Sequence, residues 1–243
     1  MGITIQTAQS LIEKVVLVLT YFVSVPILGC FRAWVAKKMG DDTPQDLGFL
    51  TLNPFEHISV LWLIVLVILR TNFAFGRYIP VNPFNIQGKW RLLKISAAYL
   101  SDAFMGLIIS ILSLFAFVAF LKVHPAALAR KMFNDGTTGL LASIADFLPF
   151  KGASNFEVII ALLLLSVVVF NILLAAFNVI INVLYIFFFA FFSPSVNSVD
   201  HVNWIMFIVP LIALSFLITP VKFFMYKFIF YAATFFGLLI GAF

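Results

Sequence analysis

The chain has 243 residues, 63% of them hydrophobic and 10% charged, with a formal net charge of +5. A soluble globular domain carries about 25% charged residues, so composition excludes a water-soluble fold and predicts an integral membrane protein in the lipid bilayer. No basic run is interleaved with solvent-facing aromatics, which argues against nucleic acid as a partner.

The N-terminus, MGITIQTAQSLIEKVV, lacks the basic region and small-residue cleavage site of a signal peptide. The first hydrophobic block is therefore expected to stay in the protein. Gly2 follows Met1, but Gln6 stands where the myristoylation pattern wants Ser or Thr. Block one covers about 11–36, and Lys37 and Lys38 close it where long basic side chains snorkel. Residues 40–59 are polar and punctuated by Gly, Pro and Asn, which predicts a loop or short re-entrant hairpin. Block two, about 58–69, is short for a full span and extends further only if Arg70 finds a partner or an aqueous face. Residues 76–88 cannot form a regular helix through Pro80 and Pro83.

Block three covers about 95–121. The stretch 124–156 is the longest loop, with a weak amphipathic pattern that predicts one or two surface helices. Block four, about 158–192, exceeds one span, so it is either a tilted helix or one that breaks near Asn178 and Asn182. Block five (204–219) carries Pro210 as a kink, and Pro220 precedes block six (221–243). The expected fold is an all-α polytopic membrane protein of about six transmembrane helices. It forms one membrane domain over 1–243, with additional C-terminal helices at 203–243. Basic residues give no clean orientation, and Cys30, the single cysteine, excludes an intrachain disulfide.

The segment AWVAKKMGDDTPQDLGFLTLNP, Ala33 to Pro54, resembles the stretch after the zinc-binding helix of site-2 proteases, the intramembrane zinc metalloproteases. Members of that family read AHAWVAxxxGDxTAxxxGRLTLNPxxHID there. The likeness continues through Glu56, His57 and Ile58. It resumes at FGRYIPVNPFNI (Phe75 to Ile86), similar to FGWAKPVPVNP. ISAAYLSDAF (Ile95 to Phe104) resembles the AGPxSN helix start, and NILLAAFNVI (Asn171 to Ile180) resembles the approach to NLLPIPPLDG. These patches occur in the family's order, and the resembling core covers about 11–192.

The resemblance implies a site-2-protease-like core, and it also locates the chemistry. Family members place His-Glu-x-x-His on one helix, so both imidazoles share a face with the Glu as general base. A third ligand, the Asp of PPLDG, comes from a later helix. Carried onto this chain, the two His positions fall on Leu28 and Arg32, the base on Gly29 and the Asp on Ile186. No metal and no cofactor is therefore expected. The histidines His57, His124 and His201 are far apart in sequence, and Ser101 and Ser166 lack a nucleophile-elbow setting.

Arg32 either snorkels beside Lys37 or forms a buried pair with Asp102, which stands where the family's AGPxSN motif has Asn. The opposite signs of the two changes favour testing the pair. Asn82 and Pro83 sit in a loop that the resemblance places near substrate entry. They either rest on the bundle or pair with an extended peptide by strand addition. Leu52 and Asn53 offer the same alternatives. Asn171 and Asn178 share a helix face for helix–helix hydrogen bonds, or Asn178 and Asn182, at i and i+4, line a polar cleft instead.

The functional expectation is a non-enzyme: a pseudoprotease that acts as a scaffold or subunit of a membrane complex. Its partners would be other membrane proteins, in a bacterial cytoplasmic membrane crossed many times. One alternative is a residual or rewired metalloprotease using His57 or Asp102. Another is a transport component in which Arg70, Asp102 and the asparagines form a polar path.

Overall fold

The computed structural model describes residues 5–68, 73–121, 155–192, 221, 223–225 and 227–239. The loop helices expected in 124–154, block five with Pro210, and Arg70, His124 and His201 lie outside the described residues. Every regular element among the described residues is helical.

Helix α1, Ile5–Met39, has 35 residues. At 1.5 Å per residue it is about 52 Å long, well beyond the ~30 Å hydrocarbon thickness. Gly40, at φ +106°, ends it. Gly40 N donates to Lys37 O (3.1 Å) and Asp41 N to Ala36 O (3.0 Å), the paired bonds that close a helix over a left-handed glycine.

The polar stretch that follows holds helical turns and no paired strands. Helix α2, Thr43–Asp46, has Pro44 in its first turn. Helix α3, Pro54–His57, begins on Pro54, and the Asn53 side chain caps it by accepting from Phe55 N at 3.2 Å. Proline at a helix start wastes no donor, and Asn is a preferred cap. Those local preferences set two short helical turns into the stretch expected as a loop or short hairpin. Helix α4, Val60–Ile68, has 9 residues, about 14 Å, too short to cross a bilayer alone.

Residues 73–90 form an irregular strap, followed by α5, Arg91–Leu121. Helix α6, Asn155–Phe192, runs for 38 residues without a break at Asn178 or Asn182. It contains neither Gly nor Pro, so nothing interrupts its ladder. A shorter apolar helix, α7, covers Phe223–Leu239. Three described helices (α1, α5 and α6) are long and apolar enough to span a membrane. The chain is an integral membrane protein.

Helices α1, α5 and α6 pack together. A Cβ on Gly106 of α5 would stand 3.3 Å from Asn171 O and 3.5 Å from Ala175 Cβ of α6, so a glycine is what permits that approach. Asn171 Nδ2 donates to Ser24 Oγ at 2.8 Å, tying α6 to α1 inside the bundle. The cluster around Leu114, Phe117, Leu165 and Val169 joins α5 and α6 and takes in Met225, Ile229 and Ala233 of α7.

Side chains satisfy the strap, because irregular backbone survives at depth only when its polar groups find partners. Tyr21 OH donates to Phe75 O at 3.0 Å and accepts from Ser59 N at 3.0 Å. Tyr99 OH donates to Val81 O at 2.7 Å, and Arg91 Nη2 to Pro83 O at 3.2 Å. The Asp41 carboxylate accepts from Asn82 N (2.7 Å), Asn85 Nδ2 (2.8 Å) and Thr43 Oγ1 (2.6 Å).

Candidate functional site

The strap roofs a cavity of about 250 Å³ between the long helices. A cavity of about 150 Å³ is enough for benzene, so this one has room for one or two side chains but not for a helix. Helix α1 supplies Val25, Leu28, Gly29 and Arg32, whose three- and four-residue spacing puts them on one face. Helix α5 adds Tyr99 and Asp102, and α6 adds Leu174, Asn178, Ile181 and Asn182. Trp62, His57 and strap residues Phe75 to Ile79 complete the wall.

One ion pair sits in the wall. Arg32 Nη1 donates to Asp102 Oδ2 at 2.9 Å, with each residue 7% exposed. Arg32 therefore does not snorkel to an interface; its charge is met inside the bundle. The guanidinium carbon lies 5.1 Å from the Tyr99 ring centroid, and Asp102 Oδ1 accepts from Ala103 N at 2.7 Å. These contacts supply the extra bonds that a buried pair needs to offset desolvation. Arg32 Nε stays unpartnered and enclosed.

His57 is the second polar feature. It is 1% exposed, with Nε2 2.7 Å from Thr51 O. A carbonyl only accepts, so Nε2 carries the hydrogen and Nδ1 is left as a lone pair. Nδ1 has no partner and faces Gly29, where an added Cβ would overlap it. Burial pushes the His57 pKa below its usual value, against the opposing pull of the Thr51 carbonyl and Glu56. Arg77, whose N–H donates to His57 O and whose guanidinium lies 3.9 Å from Glu56, closes this corner.

The resemblance brings a zinc ion into question, and the cavity's donor set does not fit one. Leu28 and Gly29 offer no ligand, the Arg32 cation would repel a metal, and Asp102 is already paired. His57 uses one nitrogen on Thr51 and buries the other against helix α1. Among the described residues no three His, Cys, Asp or Glu side chains gather as a metal requires.

Of the binding candidates Leu52, Asn53, Asn82, Pro83, Asn171 and Asn178, Asn178 lines the cavity and the others do not. Leu52 is exposed and Asn53 is a helix cap. Asn82 N donates to Asp41 and Pro83 O accepts from Arg91, so these backbone groups have partners within the chain. Asn171 is fully buried and bonds to Ser24. Ile186 packs with Ala36, Ile95 and Tyr99 and does not itself line the cavity. His57, Tyr99 and Asn182 line it in addition. The i, i+4 spacing of Asn178 and Asn182 is the sequence signal for the last; His57 stands out in the sequence only as a residue of the rewired-metalloprotease alternative.

Comparison with known proteins gives one short match. Over 66 residues the chain is 41% identical to the Bacillus subtilis (strain 168) protein named "Putative zinc metalloprotease YwhC". The match covers 27% of this chain and 29% of that protein. No protein-family model matches the chain, and no solved structure matches it.

Proposed function

We propose that this chain is a catalytically inactive, site-2-protease-like membrane protein. In this reading the inherited cleft holds part of another membrane protein, as a scaffold or subunit of a complex in a bacterial cytoplasmic membrane. The observation that carries it is the set of residues that line the cavity. Leu28, Gly29 and Arg32 stand where the resemblance puts two zinc ligands and the general base, and His57 occupies the space beside Gly29. Reversal by one substitution would not recreate a catalytic site, since the base, both ligands and the room for them would all have to return. The short likeness to a protein named as a zinc metalloprotease supports the ancestry and leaves the activity to be tested.

The test is site-specific photo-crosslinking in native membranes. A photoreactive residue at Trp62 or Ile181, both in the cavity wall, is compared with one at Leu112, which is exposed on α5. A discrete adduct with one membrane protein from the cavity positions, absent at Leu112, supports the reading. Purified protein that binds zinc near one equivalent and cleaves a transmembrane substrate overturns it. That result would favour the second reading, a rewired metalloprotease drawing on His57 and Asp102, which share the cavity.

A further inference from the structure

Asn182 is a polar group in this cavity that the fold leaves unpaired. It is 5% exposed, lines the cavity, and makes no hydrogen bond among the described residues. It differs from the other unpaired polar groups. Thr20 Oγ1, Arg32 Nε, His57 Nδ1 and Asn171 Oδ1 are sealed by neighbouring atoms. Asn182 is not among these sealed groups, and it lines the cavity. Asn178, one turn earlier on α6, also lines the cavity without a partner among the described residues. A buried amide left unpaired costs stability, whereas a pair of amides satisfies a donor and an acceptor on each side.

The cavity also selects against charge. Arg32 is already neutralised by Asp102 at 2.9 Å, and a carboxylate ligand would compete with Asp102 for that cation. A carboxylate also brings no hydrogen for an amide oxygen. An ammonium group would face Arg32 with the one nearby carboxylate taken. An uncharged group with both a donor and an acceptor fits, and about 250 Å³ holds it as a single side chain with room to spare.

We propose that Asn182 receives the carboxamide of an Asn or Gln side chain carried by a transmembrane segment of the partner, amide against amide. This deepens the scaffold reading above and rests on it.

The test uses the full chain, fluorescently tagged, in phosphatidylcholine vesicles with labelled 21-residue Leu/Ala transmembrane peptides. The central residue of the peptide is Asn, Gln, Leu or Asp, and energy transfer reports association. The Asn and Gln peptides should associate about 3- to 30-fold more strongly than the Leu peptide, the range expected of an intramembrane side-chain hydrogen bond. Asn182→Val should erase that preference and leave the Leu peptide unchanged. Asn182→Ala serves if the Val variant does not fold, as judged by its elution and melting. Equal association of the Asn and Leu peptides, a preference that survives both variants, or a stronger Asp peptide overturns the inference. If Asn and Leu peptides associate equally but Leu174→Trp, which fills the cavity, weakens both, segment holding stands and the amide pairing falls. If no peptide associates at all, the amide pairing is overturned and the crosslinking experiment decides the scaffold reading by itself.

Discussion

The imidazole of His57 lies against Gly29 of helix α1 with no room for a side chain between them. Residues 28 positions apart are thus locked together at the centre of the cavity wall, and the lock needs a glycine on one side and a flat ring on the other. Gly29→Ala should displace the ring and break its bond to Thr51 O. Overpacking of this kind costs about 1–3 kcal/mol. The measurement is the melting temperature in detergent, with His57→Ala in the same background. The double variant should recover part of the loss, because the ring that the methyl strikes is gone. Equal melting of wild type and Gly29→Ala would show that the ring moves freely.

The same histidine predicts a pH dependence. Burial lowers its pKa in the folded protein, so the unfolded chain takes up a proton first as pH falls. Stability is then full above the unfolded value, about 6.5, and is lost as pH drops from there toward the folded value. Melting curves between pH 7.5 and pH 5 should fall more steeply for wild type than for His57→Gln. Parallel curves would contradict the buried, neutral assignment.

Arg32 and Asp102 should be strongly coupled. Removing one partner of a buried pair strands the other charge and costs about 3–5 kcal/mol, whereas replacing both with apolar groups is often close to neutral. Arg32→Leu and Asp102→Leu should each lower the yield and unfolding midpoint of the protein. The double variant should restore a large part of both. Losses that simply add would mean that the 2.9 Å contact contributes nothing as a pair.

Much of this arrangement is legible in the sequence, and the limits are physical. The long helices follow from hydrophobic length, and Arg32 and Asp102 are conspicuous as opposite charges in apolar blocks. The stretch 40–59 is harder, because Gly, Pro and Asn mark punctuation without choosing between a hairpin and capped helical turns. Pro54 at the helix start and Asn53 as its cap decide it. His57 is marked in the sequence as a residue for the rewired-metalloprotease alternative, but its contact with Gly29 is not, since that depends on how the chain from Asp41 to Ser59 folds back on α1. Asn82 and Pro83 stand out in sequence yet serve the strap, because Asp41 and Arg91 use their backbone groups.

Asp41 is therefore predicted to hold the strap in place. It is fully buried at the end of α1, and its carboxylate gathers Thr43, Asn82 and Asn85. A carboxylate accepts without donating, so it can serve several donors at once. Asp41→Asn keeps the shape but turns one half of the group into a donor, facing either the Asn82 N–H or the Thr43 and Asn85 donors. Hydrogen bonds to a charged group contribute about 1.5–3 kcal/mol each, so Asp41→Ala should cost several of them together. The readout is limited proteolysis of residues 76–90 in detergent, where the strap carries Arg77 and Lys89 as trypsin sites. Both variants should be cut faster there than wild type, with cutting after Lys37 and Lys38 as the internal reference. The cavity roof is part of the same strap, so a loosened strap should also weaken peptide association without abolishing the preference for Asn over Leu. Unchanged cutting would mean that Tyr99 and Arg91 hold the strap without Asp41.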